Sequence, residues 1–257
     1  MSVLRLLAVT WWLQMKIRGR SAFDGLLSLL WPIFFATTVF LMLRSASAGG
    51  AALVSAAVGA SVMGVWTATS TPAASALQRE RWQGTLELLV AAPTPLPLLI
   101  LPVTMSMATV GAYSMVTTLL WGRFVFGINI VVAHPVVFVL AVVVMVVAVG
   151  TLGFLLAVAS VRYRTAWAVG AVLEFPIWLI CGFLVPLSVL PAWVRPISWL
   201  LAPTWGMSAI RAATEGRNAL PALIACIALA AGYALLGAVL ARHFVNSARA
   251  RATLALS

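Results

Sequence analysis

The sequence predicts an all-α integral membrane protein with six transmembrane helices, and three observations carry this prediction. Of the 257 residues, 63% are hydrophobic and 8% are charged, whereas a soluble domain carries about a quarter charged residues. The apolar residues form runs of about 20, the length that crosses a hydrocarbon layer about 30 Å thick. The 16 Lys and Arg residues outnumber the five acids but are scattered between these runs. A continuous surface for nucleic acid is therefore not expected.

Residues 1–20 are mostly apolar with basic residues between them, and the stretch before Lys16 is too short to cross a membrane. On a helical wheel Arg5, Lys16 and Arg20 fall within about 60° of one another. This pattern predicts an N-terminal amphipathic helix lying at the membrane interface. A frayed apolar tail is the alternative.

Six long apolar runs follow, and each is predicted to be a transmembrane helix. They span residues 23–43, 50–76, 96–121, 136–160, 165–185 and 222–240. The second run carries small residues four apart, at Ala52, Ala56, Ala60, Gly64 and Ala68. Such a ridge lets another helix approach closely within lipid, although an alanine-rich composition could also produce it by chance.

Orientation follows from the distribution of bases. With six crossings, 11 of the 16 bases fall on the side of the two termini. Because positive charge accumulates in the cytoplasm, both termini are predicted to be cytoplasmic. The preference for Arg over Lys and the high alanine content favour a bacterial host. We therefore expect a multi-pass protein of the bacterial plasma (inner) membrane.

The polar segment between the second and third runs holds two of the five acids. Helical spacing places Glu80, Gly84 and Leu88 on one side, with Gln83 and Glu87 beside them. We expect residues 78–90 to form a short amphipathic helix of mixed charge, which suits a protein partner better than anionic lipid. A solvated turn is the alternative.

Residues 186–218 are too apolar for an ordinary external loop. Their prolines at 186, 191, 196 and 203 break them into pieces too short to span. Such pieces are typical of re-entrant or interfacial helices. A hairpin packed on the membrane surface is the alternative.

Glu174 is an ionisable residue inside a predicted span, ten residues beyond Arg164 and so about 15 Å deep, near the midplane. A carboxyl at that depth favours a functional site, and a protonated carboxyl hydrogen-bonded between helices is the structural alternative. A proton- or cation-coupled secondary transporter using Glu174 is the corresponding alternative function.

No catalytic, cofactor-binding or metal site is expected in this chain. Lys16 is the only lysine and is followed by Ile17, so no phosphate-binding loop of an ATPase exists. Cys181 and Cys226 lie in apolar runs, and clustered metal ligands are absent from the sequence.

The arrangement resembles the permease subunits of ABC-2 (ATP-binding-cassette type-2) exporters, over nearly the whole chain. Residues 79–87, Arg-Glu-Arg-Trp-Gln-Gly-Thr-Leu-Glu, look like the family's E-x-x-x-G-T-L-E cytoplasmic loop. Residues 182–191, Gly-Phe-Leu-Val-Pro through Leu-Pro, followed by Pro203 and Arg211, look like its C-terminal signature.

This resemblance implies a homodimer or a heterodimer with a second permease, together with separate ABC nucleotide-binding ATPase subunits that hold ATP and Mg. The implied ATPase-coupling residues are Arg79, Glu80, Arg81, Gly84, Thr85 and Glu87. The implied external gate comprises Pro186, Leu190, Pro191, Pro203 and Arg211. The second and fifth spans line the pathway in this family, which agrees with the candidates Glu174, Phe175, Gly64 and Ala60.

The function expected from this resemblance is a permease without its own ATPase site. It would move an amphipathic or hydrophobic substrate, such as a drug, a lipid or a lipid-linked glycan, outward across the membrane. A membrane scaffold that transports nothing is a third hypothesis.

Overall fold

The computed structural model of the chain describes residues 3–20, 22–47, 49–92, 94–160, 166–185 and 187–251. Within these residues the regular structure is helical, with a 3-10 turn at Leu187–Val189. The α-helices are α1 (Val3–Arg20), α2 (Ala22–Ser45), α3 (Gly50–Ala74), α4 (Ala76–Trp82), α5 (Leu86–Ala91), α6 (Leu96–Phe124), α7 (Pro135–Ser160), α8 (Ala166–Ile180), α9 (Arg195–Trp199), α10 (Ala202–Glu215) and α11 (Leu220–Arg251).

Four helical segments are long and apolar enough to cross a membrane by length and composition. They are Gly50–Trp82, Leu96–Phe124, Pro135–Ser160 and Leu220–Ser247. Two shorter apolar segments, Pro32–Ser45 and Gly170–Ile180, lie in α2 and α8. The all-α membrane class is thus confirmed, and the count of six crossings stays a prediction because it depends on α2 and α8.

Helix α8 ends at Ile180, five residues before the predicted boundary at 185, for a local backbone reason. Gly182 takes a left-handed conformation with φ of 75°. The Phe183 N–H donates to the Trp178 carbonyl at 3.1 Å, and the Gly182 N–H donates to the Leu179 carbonyl at 3.0 Å. This pair of bonds is a Schellman motif, which closes a helix whatever the hydropathy of the residues that follow.

Helix α11 instead continues to Arg251, 11 residues past the predicted end at 240. Ala241 is fully buried, and Phe244 and Val245 pack against a cluster that includes residues of α3, α5, α6 and α7. The polar extension is thus held as a helix by one apolar face.

The centre of the bundle is α3, which contacts α2, α6, α7 and α8. Its middle, from Ala57 to Trp66, is buried throughout. Close approach to α6 depends on Gly111, where a Cβ atom would lie 2.7 Å from the Val65 Cα. Helix α10 packs against both α7 and α11.

The N-terminal segment forms α1, which lies along α6. The Trp11 indole donates to the Thr109 hydroxyl and the Arg18 guanidinium donates to the Ser106 hydroxyl, each at 3.2 Å. On the other side α1 exposes Leu4, Trp12 and Leu13. Its position at the membrane interface stays a prediction.

Candidate functional site

Residues 76–91 form two short helices joined by a sharp turn, and not the single helix predicted over 78–90. Gly84 takes a left-handed φ of 71°, which an L-residue adopts only with strain. The Thr85 N–H donates to the Glu80 carbonyl at 2.9 Å and the Gly84 N–H donates to the Arg81 carbonyl at 3.1 Å. A Schellman motif therefore ends α4 at Trp82, and α5 starts in a new direction.

Residues of the E-x-x-x-G-T-L-E motif explain this turn. The Thr85 hydroxyl lies 2.5 Å from the Glu80 carboxylate, to which it donates, and 3.1 Å from the Glu80 carbonyl. Glu80, Gly84 and Thr85 therefore act on one another, because the glycine permits the turn and the other two close it. Two of the predicted coupling residues thus shape the segment that carries them, and their contact with a partner stays a prediction.

Leu86 anchors the segment to the bundle. It is 5% exposed and lies in a cluster with Leu77 of α4, Leu96 and Ile100 of α6, and Phe154 of α7. The extension of α11 packs against the same cluster through Phe244 and Val245. The segment thus rests on a base built from four other helices.

Two large apolar side chains point away from this base. Trp82 is 70% exposed and Leu88 is 71% exposed, beside the exposed Gln83 and Gly84. Neither was among the predicted coupling residues, although helical spacing placed Leu88 on the same side as Glu80 and Gly84. A tryptophan in an otherwise polar stretch was the signal available.

The other predicted coupling residues are distributed around the turn. Arg79 is exposed, and its guanidinium donates to the Pro72 carbonyl at 3.2 Å. Arg81 is half-buried. The Glu87 side chain lies outside the described residues.

Glu174 lies where α8 crosses α3, in an antiparallel contact. A Cβ on Gly170 would lie 2.6 Å from the Thr71 Cα, and one turn further Glu174 lies beside Thr67. Thr67 is seven residues from the end of α3 at Ala74, which is about 10 Å. Thr67 is also near the middle of the longer apolar segment Gly50–Trp82, so the midplane position of Glu174 stays a prediction.

The remaining pathway candidates divide between surface and core. Phe175 is 59% exposed and meets Trp178 edge-on, with ring centroids 5.0 Å apart. Ala60 is 2% exposed and packs with Phe40 and Phe126. A Cβ on Gly64 would clash with the Ser114 hydroxyl. The small-residue ridge thus packs against α2 and α6 of the same chain, and the pathway role of these residues stays a prediction.

The segment after α8 folds into the bundle through α10. The Ala202 N–H donates to the Tyr233 hydroxyl at 3.1 Å, and that hydroxyl donates to the Leu200 carbonyl at 2.5 Å. Tyr233 is 13 residues from the start of α11, which is about 20 Å along it. The beginning of α10 therefore lies deep between α7 and α11.

The predicted gate residues are not gathered in one place. Pro203 is buried in the first turn of α10, and Arg211 is half-buried near its other end. Leu190 is half-buried and Pro191 exposed in the connection before α9. Pro186 lies outside the described residues. Their role as a gate stays a prediction.

A comparison with protein families decides between the classes of membrane protein considered so far. The family model described as ABC-2 type transporter matches residues 4–214. The chain belongs to the ABC-2 type transporter family. No curated protein matches it significantly.

Membership of the ABC-2 family settles the coarse function and leaves the finer one to argument. The matched domain is the transmembrane permease part of such a transporter and not its ATPase. ABC-2 permeases normally partner with ABC ATPase subunits. The match covers α1 through most of α10, so it includes both the α4–α5 segment and the end of α10.

Proposed function

We propose that this chain is the permease subunit of a bacterial ABC exporter and that its α4–α5 segment (Ala76–Ala91) is the docking point for the ATPase. The observation that carries the proposal is the pair of exposed side chains, Trp82 and Leu88, on a segment anchored by Leu86. ATP and Mg would be held by the partner subunit. Exposed aromatic and aliphatic side chains on a firm base are the groups that anchor protein interfaces.

The base of the segment suits transmission of force. A displacement of α4–α5 acts on Leu86 and therefore on α3, α6, α7 and the α11 extension, whose side chains share its cluster. Helix α3 in turn meets α8 at Thr67 and Glu174. An exporter of this kind alternates between two conformations of the permease. Nucleotide binding on the ATPase can favour one of them only if the ATPase contacts the docked segment differently in the two conformations.

The cargo we propose is amphipathic or hydrophobic, such as a drug, a lipid or a lipid-linked glycan. Helix α8 exposes Val172, Phe175 and Leu179 along one face. This face is available to a second permease chain, identical or different, and to a substrate passing between the two. The proposed setting is the bacterial inner membrane with both termini in the cytoplasm.

The test replaces one exposed tryptophan at a time. Trp82→Ala should reduce co-purification of the ATPase about tenfold or more and abolish ATP-driven export, because interface tryptophans carry about 2 kcal/mol or more. Trp193→Ala is the matched control, since Trp193 is 73% exposed but lies between α8 and α9. Undiminished co-purification of the Trp82→Ala chain would contradict the docking assignment.

The secondary-transporter alternative gains no support from the surroundings of Glu174. The Glu174 carboxyl lies near Thr67, and the other four acids of the sequence lie in α2, α4, α5 and α10, so no second carboxylate shares α8 with it. Glu174→Gln should leave export independent of the proton gradient. Export that follows the gradient in the unmodified chain and loses that dependence in Glu174→Gln would instead favour the alternative.

A further inference from the structure

A cavity of about 600 Å³ opens at the end of the bundle opposite the α4–α5 segment. Its walls come from the end of α2, the first turns of α3, the 126–131 loop and the end of α10. The volume falls within the range of small-molecule sites, about 300–1,000 Å³. Neither the family match nor the docking proposal assigns it a role.

Two arginines from distant parts of the chain face this cavity. Arg44 donates one hydrogen bond to the Phe126 carbonyl and lies over the Phe126 ring, 5.5 Å from its centroid. The guanidinium group has five N–H donors, so most of them remain available. The Nε of Arg211 is buried and has no hydrogen-bond partner among the described residues. Such a buried donor is costly unless something satisfies it.

The charge of the cavity stays positive because its lining acid is already paired. Among the described lining residues the carboxylate is that of Glu215, which forms an ion pair with Arg217 at 2.6 Å. Arg44 and Arg211 therefore face the cavity without an ion-pair partner among the described residues. Arg44 is exposed at the mouth of the cavity, so the apolar walls strengthen the attraction for an anion mainly at the half-buried Arg211. The Glu215 carboxylate also acts on Arg211, but the two arginines outnumber it in the lining.

The lining of the cavity also includes apolar side chains of α3 and of the 126–131 loop. Leu53, Val54 and Val58 of α3 line one side, and Ile128 and Val131 of the loop line another. A small hydrated anion would leave this surface unused. A ligand with an anionic head and an apolar body would fill both parts.

We propose that the Arg44–Arg211 cavity binds a phosphate-bearing amphiphile, with the phosphate between the two guanidinium groups and the apolar body against α3. Arginine matches phosphate oxygens in a planar, two-pronged geometry. This inference goes beyond the proposed docking function, because the cavity is remote from α4–α5 and its occupation does not require an ATPase. The shared chemistry is the phosphate, carried by a lipid head group or free in solution.

The experiment measures binding of phosphatidylglycerol to the purified full chain in detergent by native mass spectrometry. Arg44→Gln and Arg211→Gln should each weaken binding about tenfold or more, because each removes a charge-assisted hydrogen bond. Arg44→Lys and Arg211→Lys keep the charge but lose the two-pronged geometry, so their affinity should fall between that of the unmodified chain and that of the Gln variants. Arg195→Gln is the matched control, since it removes one arginine that does not line the cavity.

Inorganic phosphate serves as competitor and distinguishes the two sources. It should displace the lipid only at an excess of about a hundredfold, because it cannot use the apolar wall. Displacement at equal concentration would overturn the amphiphile assignment. Equal lipid binding by the unmodified chain, Arg44→Gln and Arg211→Gln, each with unchanged thermal unfolding, would overturn the site itself.

Discussion

Helices α4 and α10 end in the same way but are used differently. Each is closed by a left-handed glycine, with φ of 71° at Gly84 and 73° at Gly216. In each the next residue donates its N–H back across the turn, from Thr85 to Glu80 at 2.9 Å and from Arg217 to Ala212 at 2.8 Å. The local backbone chemistry of the two ends is therefore equivalent.

Their surroundings differ. Nine of the 14 residues of α10 are buried, and the carbonyls at its end also accept N–H groups from the 133–134 loop, at 3.2 Å from Ala133 and 3.1 Å from His134. Beyond α4 the turn is open, and no atom lies within 4 Å of a Cβ placed on Gly84. Equivalent turns are thus packed in α10 and open in α4–α5, which we propose as the segment that contacts the ATPase.

The largest loss of stability is expected from a substitution of Ile210, which is fully buried in α10. Ile210→Ala should lower the free energy of unfolding by about 2 kcal/mol, the lower end of the soluble-protein range, because lipid removes the transfer part of the penalty. Unfolding in mixed micelles measures it. Ser208→Ala, at an exposed position of the same helix, should leave stability unchanged, and a similar loss in both variants would contradict the packing of α10.

Gly206 is expected to show a smaller effect of the same kind. A Cβ there would meet the Met145 sulfur and lie 3.2 Å from the Met145 Cβ. Gly206→Ala should therefore cost about 1 kcal/mol through overpacking, measured by the same unfolding assay. Gly232→Ala in α11 is the control, since nothing lies within 4 Å of its added Cβ. It should be neutral or slightly stabilising.

The two turn glycines sharpen the comparison directly. Alanine in the left-handed region costs about 1–2 kcal/mol at either position. Gly216→Ala should lower the free energy of unfolding of the bundle by that amount. Gly84→Ala should leave unfolding unchanged and weaken ATPase binding roughly five- to thirtyfold, measured by titration of the ATPase. The reverse pattern would show that the two turns have been assigned to the wrong roles.

The smallest effect on ATPase binding is expected from a substitution of Thr85. Thr85→Val removes the hydroxyl that donates to the Glu80 carboxylate, worth about 1 kcal/mol within the turn, so ATPase affinity should fall about fivefold. Thr214→Val in α10 is the counterpart, because its hydroxyl donates only to the Ile210 carbonyl of its own helix. ATPase affinity that is unaffected by Thr85→Val would mean that the turn does not depend on this bond.

Much of the fold follows from hydropathy alone. The predicted starts of the second, third and fourth spans lie within one residue of the starts of α3, α6 and α7. Hydropathy did not predict where α8 and α11 end. The glycine that closes α8, Gly182, lies inside an apolar run. The extension of α11 has a low average hydropathy. The end of α8 depends on one glycine, and the end of α11 depends on the spacing of a few apolar residues; neither depends on composition.

The site was predictable as a segment but not as a surface. The motif marked residues 79–87 as the coupling segment, which stays a prediction, and it did not indicate that Glu80 and Thr85 bond to each other. The exposed pair, Trp82 and Leu88, depends on the direction in which α5 leaves the turn. That direction is decided by the burial of Leu86, a long-range contact that sequence spacing does not contain.

Leu86 and Leu88 offer the most direct test of the docking claim. They are two residues apart in α5, but Leu86 is 5% exposed and Leu88 is 71% exposed. The native cysteines Cys181 and Cys226 are buried, so a single introduced cysteine can be labelled with a photo-crosslinker. Labelled Leu88→Cys should crosslink to the ATPase in the assembled complex while Leu86→Cys does not. A labelled Leu88→Cys chain that assembles normally but never crosslinks to the ATPase would contradict the account.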